Sequence, residues 1–211
     1  MRITIFDTET TGLPARNEGL EKQPHIIQFA AFIYEYDPTT RRFQEVERYN
    51  TMVKPPISIP EDSVRITGIT DQQVASAPTF AEVADRILQI FANTDLAVAH
   101  NLSFDEEIVG YELERLGKSK AFISKGRFDT MEGTRNLCKL PTKSGGYKAP
   151  RLMELHQFLL NESFEEAHNA EKDVAALGRC VKVLLQEGLY QPPVSQAALP
   201  KVEETEQISL F

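Results

Sequence analysis

The sequence has no long apolar run. No stretch approaches the roughly 20 consecutive apolar residues that a membrane-spanning helix needs. The N-terminus also lacks a basic start followed by an apolar segment of the secretory type. No internal repeat is visible. These absences argue against a membrane protein, an exported protein and a repeat array. We therefore expect a cytoplasmic protein without a membrane partner.

Cysteine and histidine are both scarce, with two cysteines and four histidines in 211 residues. Cys138 and Cys180 have neither the CxxC spacing nor the neighbouring histidines of a zinc site. They are predicted to be free structural thiols, as is usual in a reducing compartment. His25 precedes a predicted strand and His156 falls within a predicted helix, and both are predicted to be structural.

Strand and helix patterns alternate over residues 1–190. Apolar or β-branched runs predict five strands, the second and third joined by a turn, at 3–6, 26–36, 43–53, 96–99 and 127–129. Helices are predicted in between at 80–91, 103–116, 130–140, 152–160 and 170–187, with Pro141 to Pro150 as a loop. Thr79 with Glu82, and Ser103 with Glu106, have the spacing of capping boxes. Asn169 is the expected cap of the last helix.

This order of elements predicts an α/β fold, with a mixed five-stranded sheet and helices on both faces. Residues 191–211 are different, because three prolines and a group of glutamates leave little that could pack. We therefore expect one domain over 1–190, followed by a flexible tail over 191–211.

The charge is distributed unevenly. The chain as a whole carries −8, but the segment from Arg115 to Arg151 contains ten basic residues and only two acidic ones, Asp129 and Glu132. Phe122, Phe128 and Tyr147 are interleaved with these basic residues. Cations with interspersed aromatic rings suit a single nucleic-acid strand, with phosphates on the charges and bases on the rings.

Four acidic residues stand out in three short, distant motifs. Asp7 and Glu9 lie in Asp-Thr-Glu-Thr-Thr-Gly, Asp105 ends His-Asn-Leu-Ser-Phe-Asp, and Asp173 ends His-Asn-Ala-Glu-Lys-Asp. With the period of two of a strand, the side chains of Asp7 and Glu9 point to one face of the sheet. Carboxylates are costly to bring together without a cation. If the four converge, hard oxygen ligands of this kind favour two Mg²⁺ or Mn²⁺ ions and phosphodiester hydrolysis.

Hydrolysis also needs a base for the attacking water. His168 lies five residues before Asp173, just outside the predicted helix cap, and a neutral imidazole suits that role near pH 7. His100 and Asn101 follow a predicted strand. They could contact substrate or simply fix the turn.

These three motifs together resemble the DEDDh family of 3′→5′ exonucleases, and among them the proofreading epsilon subunits of bacterial DNA polymerase III. The resemblance spans nearly all of residues 1–190. It implies a ribonuclease H-like fold and hydrolysis of DNA from the 3′ end, releasing mononucleotides, in proofreading or repair.

The resemblance also implies roles for single residues. It makes Asp7, Glu9, Asp105 and Asp173 the holders of two ions and His168 the general base. The 3′-terminal nucleotide, from a single-stranded or frayed end, would lie against Thr8, Thr10, Thr11 and Leu13. His100, Asn101 and Phe104 would lie alongside.

The last residues resemble the short peptide with which bacterial replication proteins bind the sliding clamp. Gln207, Leu210 and Phe211 carry that loose motif. The chain then stops where epsilon subunits continue to a polymerase-binding region, so attachment to a DNA polymerase is an open expectation.

Three alternatives remain. The same carboxylates could serve an exoribonuclease that trims RNA 3′ ends, because the scissile bond is alike. A phosphatase with Asp7 as nucleophile would leave His168 and Asp173 unexplained. A non-catalytic adaptor tethered to the clamp has no need of so many acidic groups.

Overall fold

A five-stranded mixed sheet forms the centre of the molecule, which we describe from a computed structural model. The structure describes residues 1–163 and 169–193. The strand order is β3-β2-β1-β4-β5, with antiparallel pairing among the first three strands and parallel pairing of β1 with β4 and of β4 with β5. The predicted α/β class and mixed sheet are confirmed. The strand bounds are β1 Arg2–Thr10, β2 Ile26–Asp37, β3 Arg42–Met52, β4 Leu96–Ala99 and β5 Gly126–Asp129.

Helices cover both faces of this sheet, as predicted, and each face has its own cluster of buried apolar residues. The long helices are α3 Phe80–Ala92, α4 Leu102–Arg115, α7 Leu152–Leu160 and α8 Ala170–Gln186. Ile3 and Ile5 of β1 pack in one cluster with α7 and α8. Phe6 packs in the other cluster with α3 and α4. The alternation along β1 thus assigns odd-numbered residues to the α8 face.

Four short α-helices are also present, at α1 Glu61–Thr67, α2 Asp71–Val74, α5 Thr130–Gly133 and α6 Arg135–Cys138, together with a single 3-10 turn at Leu20–Lys22. Helices α1 and α2 were not predicted, because the prolines before residue 61 indicated only the end of the strand pattern. The single helix expected after residue 129 is wrong. The chain breaks at Thr134 and ends α6 at Lys139, whose φ of 50° is left-handed.

Two local predictions at the ends of elements also need correction. The loop expected at 141–150 contains a small hairpin, β6 Leu140–Pro141 and β7 Tyr147–Lys148. The capping box expected at Ser103 does not form, because α4 begins two residues earlier, after Asn101. Glu106 pairs with Arg127 instead. The capping box at Thr79 and the cap at Asn169 are both present.

The scarce cysteines and two of the histidines lie in the packed interior. Cys138 and Cys180 are free and buried, and burial raises the pKa of the Cys180 thiol to about 12. His25 lies against Glu112, and the Nδ1 atom of His156 lies 2.9 Å from the Glu162 carbonyl oxygen. No helix within the part of the chain that the structure describes has the length and apolarity to cross a bilayer.

Candidate metal centre

Strand β1 brings two carboxylates to one face of the sheet. Asp7 and Glu9 both lie on the face covered by α8, as the period of two requires. The strand runs on to Thr10, further than the predicted strand, so both acids lie within it rather than after it. Their antiparallel neighbours on β2 are Ala30 and Gln28.

Helix α8 supplies the third carboxylate. Asn169 caps the helix, with its side-chain oxygen accepting a hydrogen bond from the Lys172 N–H at 3.2 Å. Asp173 follows in the first turn, where the positive end of the helix dipole favours an acid. Oxygen atoms of Asp7, Glu9 and Asp173 all lie within 4.8 Å of one another. The structure therefore brings together three of the four predicted carboxylates as one cluster.

Asp105, on α4, lies beside this cluster and is held there by Thr8. The Thr8 N–H and hydroxyl both donate to the same Asp105 oxygen, at 2.9 and 2.8 Å. Asp105 is 2% exposed and close enough to Asp7 to perturb its ionisation. The two hydrogen bonds fix this carboxylate beside β1, next to the cluster rather than within its 4.8 Å limit.

The carboxylates strongly disfavour one another's charge. Burial, together with the charges of Asp105, Glu9 and Asp173, holds the pKa of Asp7 well above its ordinary value. Burial and then the neighbouring Asp173 and Asp105 raise the pKa of Glu9 to about 8. Burial raises the pKa of Asp105 to about 7, against the lowering effect of the Thr8 hydrogen bonds. At neutral pH the cluster therefore retains protons unless a cation replaces them.

The donor set fits a hard divalent cation. Several carboxylate oxygens within 4.8 Å of one another, with no thiol or imidazole in the same group among residues 1–163 and 169–193, are the ligands of Mg²⁺ or Mn²⁺. Asp7 and Glu9, on a rigid central strand, and Asp173, on a capped helix, would hold such an ion.

A hydrogen-bond chain that starts at a buried glutamine positions the helix that carries Asp173, and the sequence analysis did not predict it. Gln28 is 1% exposed, and its oxygen accepts from the Ala170 N–H at 3.2 Å. Its amide group donates to Asn50 at 3.0 Å, and Asn50 donates to Glu171 at 2.8 Å. The one available signal was a glutamine interrupting the apolar run of β2.

We expect Gln28→Met to lower the melting temperature and to weaken metal-dependent stabilisation. The substitution keeps the side-chain volume but leaves the buried Ala170 N–H without its acceptor. This costs about 1–3 kcal/mol, or roughly 2–10 °C in a domain of this size. Thermal unfolding in chelator, repeated across a Mg²⁺ titration, measures both effects. Asn50→Ala is the matched control, because it leaves the Gln28–Ala170 bond in place and should cost less. A Gln28→Met variant that melts like the wild type contradicts this role.

The threonines predicted to line the nucleotide pocket use their hydroxyls within the protein. Thr8 donates to Asp105, and Thr10 donates to the Gly12 carbonyl at 2.7 Å. The Thr11 hydroxyl accepts from the His25 N–H at 2.9 Å. These bonds shape the segment that leads to Leu13, whose side chain is 81% exposed. An exposed leucine four residues after Glu9 is available to touch a ligand.

His100 fixes the chain after β4. In the neutral ring the Nε2 atom donates to the Pro150 carbonyl at 3.0 Å, and the Nδ1 atom lies 3.0 Å from the Thr130 hydroxyl. Burial lowers the pKa of His100, which favours that neutral ring. Of the two roles considered for His100, the geometry favours the turn, because both nitrogens are engaged.

Asn101 and Phe104 lie at the start of α4, and both are partly exposed. Asn101 adopts a left-handed φ of 80°, held by a hydrogen bond from its N–H to Asp129 at 3.1 Å. Asp129 also accepts from the Leu102 N–H at 3.1 Å. Phe104 packs against the α3 and α4 cluster. His168, the predicted base, lies outside the described residues, as do Gln207, Leu210 and Phe211 of the tail.

The prediction that the basic segment binds a nucleic-acid strand stays a prediction, although most of its cations are paired with acids. Seven of its ten cations form salt bridges, six of them with acids from other parts of the chain or from the flanking helices. The pairs are Arg115–Glu112, Lys118–Asp85, Lys120–Glu114, Lys125–Asp95, Arg127–Glu106, Arg135–Glu132 and Lys148–Glu154. Phe122 and Phe128 are buried, which leaves Tyr147 as the exposed ring.

Fold and carboxylate site together place the chain in the exonuclease class of proteins. The chain belongs to the exonuclease family, whose sequence profile matches residues 4–180. Relatives include the 3′-5′ exonuclease DinG of Bacillus subtilis, 30% identical over 177 residues. They also include the DNA polymerase III epsilon subunit of Buchnera aphidicola, 30% identical over 181 residues. The family resemblance expected from the sequence is confirmed.

The relatives differ greatly in size. The chain spans 11% of the PolC-type DNA polymerase III of Streptococcus mutans and 17% of DinG, but 72% of the Buchnera epsilon subunit. Each match covers 84% or more of this chain.

Solved structures confirm the ribonuclease H-like exonuclease fold. Escherichia coli exonuclease I in complex with a dT13 oligonucleotide superposes with a TM-score of 0.70 at 22% identity, over 89% of this chain and 42% of that one. The nuclease domain of 3′hExo, a DEDDh family member bound to rAMP, superposes with a TM-score of 0.67 at 18% identity. That match covers 89% of this chain and 92% of 3′hExo.

Proposed function

We propose that this protein is a metal-dependent 3′→5′ exonuclease that hydrolyses single-stranded or frayed DNA ends and releases mononucleotides. The observation that carries the proposal is the group of Asp7, Glu9 and Asp173 within 4.8 Å, with Asp105 beside it. Such a concentration of carboxylates destabilises the metal-free fold, and phosphodiester hydrolysis is the chemistry that uses it.

Each site residue takes a distinct role in this proposal. Asp7, Glu9, Asp105 and Asp173 hold two Mg²⁺ or Mn²⁺ ions, which when bound neutralise charge on the attacking and leaving oxygens. His168 accepts a proton from the attacking water. Leu13 packs against the terminal base, flanked by Asn101 and Phe104. Thr8, Thr10 and Thr11 hold the backbone of that pocket, and His100 fixes its far wall.

The relatives support DNA as the proposed substrate. Relatives of this chain are DNA polymerase III subunits, and exonuclease I of the same fold carries a DNA strand. One observation favours RNA as the second candidate, because 3′hExo of the same fold holds a ribonucleotide, rAMP. A role in proofreading or repair, in the cytoplasm, and an association with a DNA polymerase belong to the same proposal. So does clamp binding through Gln207, Leu210 and Phe211, which is separate from the chemistry.

The test is degradation of matched, 5′-labelled single strands of DNA and RNA with Mg²⁺ or Mn²⁺. We expect a ladder that shortens one nucleotide at a time from the 3′ end of DNA, with RNA turned over at least about tenfold more slowly because of its 2′-hydroxyl. A strand with a blocked 3′-terminal linkage, and a reaction in chelator, should both stay intact. DNA that survives ample enzyme with either ion rejects the proposal, whereas faster cleavage of RNA selects the second candidate.

A further inference from the structure

One part of the basic segment contains basic residues but no acidic ones. Residues 139–151, here called the basic hairpin, contain Lys139, Lys143, Lys148 and Arg151 and no acidic residue. Lys148 pairs with Glu154 at 2.5 Å. Lys139 and Lys143 are exposed and make no salt bridge within residues 1–163 and 169–193. The hairpin is therefore the place where the segment keeps a surplus of positive charge.

The basic hairpin has a defined backbone. Leu140 and Pro141 pair with Lys148 and Tyr147 as two short antiparallel strands. The Thr142 N–H donates to the Gly146 carbonyl at 3.1 Å, and the Thr142 hydroxyl donates to that of Gly145 at 2.7 Å. Both glycines have φ near 85°, a conformation that side chains disfavour. Lys143 therefore lies in a defined turn, and Lys139 directly precedes the first strand of the hairpin.

A hydrogen bond ties the end of this hairpin to the carboxylate edge of the sheet. The Pro150 carbonyl accepts from His100 at 3.0 Å. His100 immediately follows β4, which pairs in parallel with β1 as far as Ile5 and Val98. The C-terminal end of the basic hairpin is therefore tied to the end of β4, the strand beside the one that carries Asp7 and Glu9.

We propose that the basic hairpin binds the phosphates of a DNA single strand on the 5′ side of the scissile bond. This inference rests on the proposed function. The carboxylate cluster, with its ions, deals only with the scissile phosphate, and the remaining phosphates need cations to approach so acidic a protein. Lys139 and Lys143 supply them. Tyr147, which is 44% exposed and has no aromatic ring partner among the described residues, supplies a face on which a base stacks.

The test compares substrates that differ in their number of upstream phosphates. A short DNA single strand spans the hairpin, whereas a p-nitrophenyl ester of thymidine 5′-monophosphate has no upstream phosphate. We expect the double variant Lys139→Gln, Lys143→Gln to raise KM for the strand by roughly fivefold or more, with kcat nearly unchanged and the ester turned over normally. Its salt dependence should fall by about 0.7 in logarithmic slope for each lysine removed. Lys182→Gln, on an exposed position of α8, is the matched control.

A binding arm separates this inference from the proposed function. Fluorescence anisotropy of the labelled strand with Ca²⁺ reports strand binding without turnover. Weaker binding and a shallower salt slope in the double variant support the hairpin, even for a protein that cleaves neither substrate. An active enzyme whose double variant keeps the wild-type KM, affinity and salt slope overturns it.

Discussion

Asp7→Asn is expected to reduce kcat for DNA by at least about a thousandfold while making the metal-free protein more stable. Asp7 lies in the shared group of oxygens with Glu9 and Asp173, so its carboxylate is needed to hold a cation. Metal-ion stabilisation of the transition state contributes several kcal/mol, and each 1.4 kcal/mol is about tenfold in rate. In chelator the same charge is only repulsive, because burial and three acids oppose it.

Single-turnover cleavage in Mg²⁺ and thermal unfolding in chelator measure the two halves of this expectation. Asp62→Asn is the control for the loss of a surface carboxylate, since Asp62 is exposed on α1, and it should match the wild type in both. His168→Ala should lose turnover but keep the response of the melting temperature to Mg²⁺. An Asp7→Asn variant that keeps even a tenth of the wild-type rate, or that is less stable in chelator, contradicts the assignment of Asp7 to the metal.

The assembly of the acids was predictable because it follows from strand and helix geometry. Asp7 and Glu9 share a face by the period of a strand, and the apolar residues before them, Ile3 and Ile5, mark which face α8 covers. Asn169 at a helix cap placed Asp173 in the first turn. Strand periodicity and helix capping depend on residues that are close in sequence, so they can be predicted from the sequence alone.

The fate of the basic segment was not predictable, because it depends on contacts between distant residues. Lys118 pairs with Asp85 of α3, and Lys125 pairs with Asp95 before β4. A count of charges along the chain treats Lys118 and Lys125 as unpaired, whereas the fold brings an acidic residue next to each of them. The same reason hid Gln28, whose importance lies in a bond to a residue 142 positions away.

The start of α4 shows how tertiary structure overrides a local signal. Ser103 and Glu106 have the spacing of a capping box. Asp129 instead binds the N–H groups of Asn101 and Leu102, at 3.1 Å each, and starts the helix earlier. Glu106 is then free to pair with Arg127 at 2.6 Å. Asp105 lies in the first turn of α4 whether the helix is capped by Ser103 or by Asn101. Its position was therefore predicted correctly although the cap was not.

When the metal is removed, the free energy of unfolding should fall as the pH rises from 5 to 8, whereas carboxylates in proteins usually make it rise. Glu9 has a pKa of about 8 in the folded protein against an ordinary value of 4.5, so the folded state holds the extra proton between these two values. Stability therefore falls as the pH rises through this window. Asp105, with a pKa of about 7, acts in the same direction. In chelator we expect the protein to lose on the order of 3 kcal/mol from pH 5 to pH 8, or about 10 °C in melting temperature.

Saturating Mg²⁺ should flatten this profile, because the cation takes the place of the protons and binds the folded state more tightly as the pH rises. Thermal unfolding from pH 5 to pH 8, with chelator or with Mg²⁺, measures both curves. Glu9→Gln is the matched control, since it removes the group with the pKa near 8 and should make the chelator curve shallower, leaving the part due to Asp105. Below pH 5 the profile should turn down, because Glu112, whose hydrogen bonds from His25 and the Ile26 N–H outweigh its burial and lower its pKa, becomes protonated. A metal-free protein that gains stability between pH 5 and pH 8 would show that the carboxylates are not crowded as the structure places them.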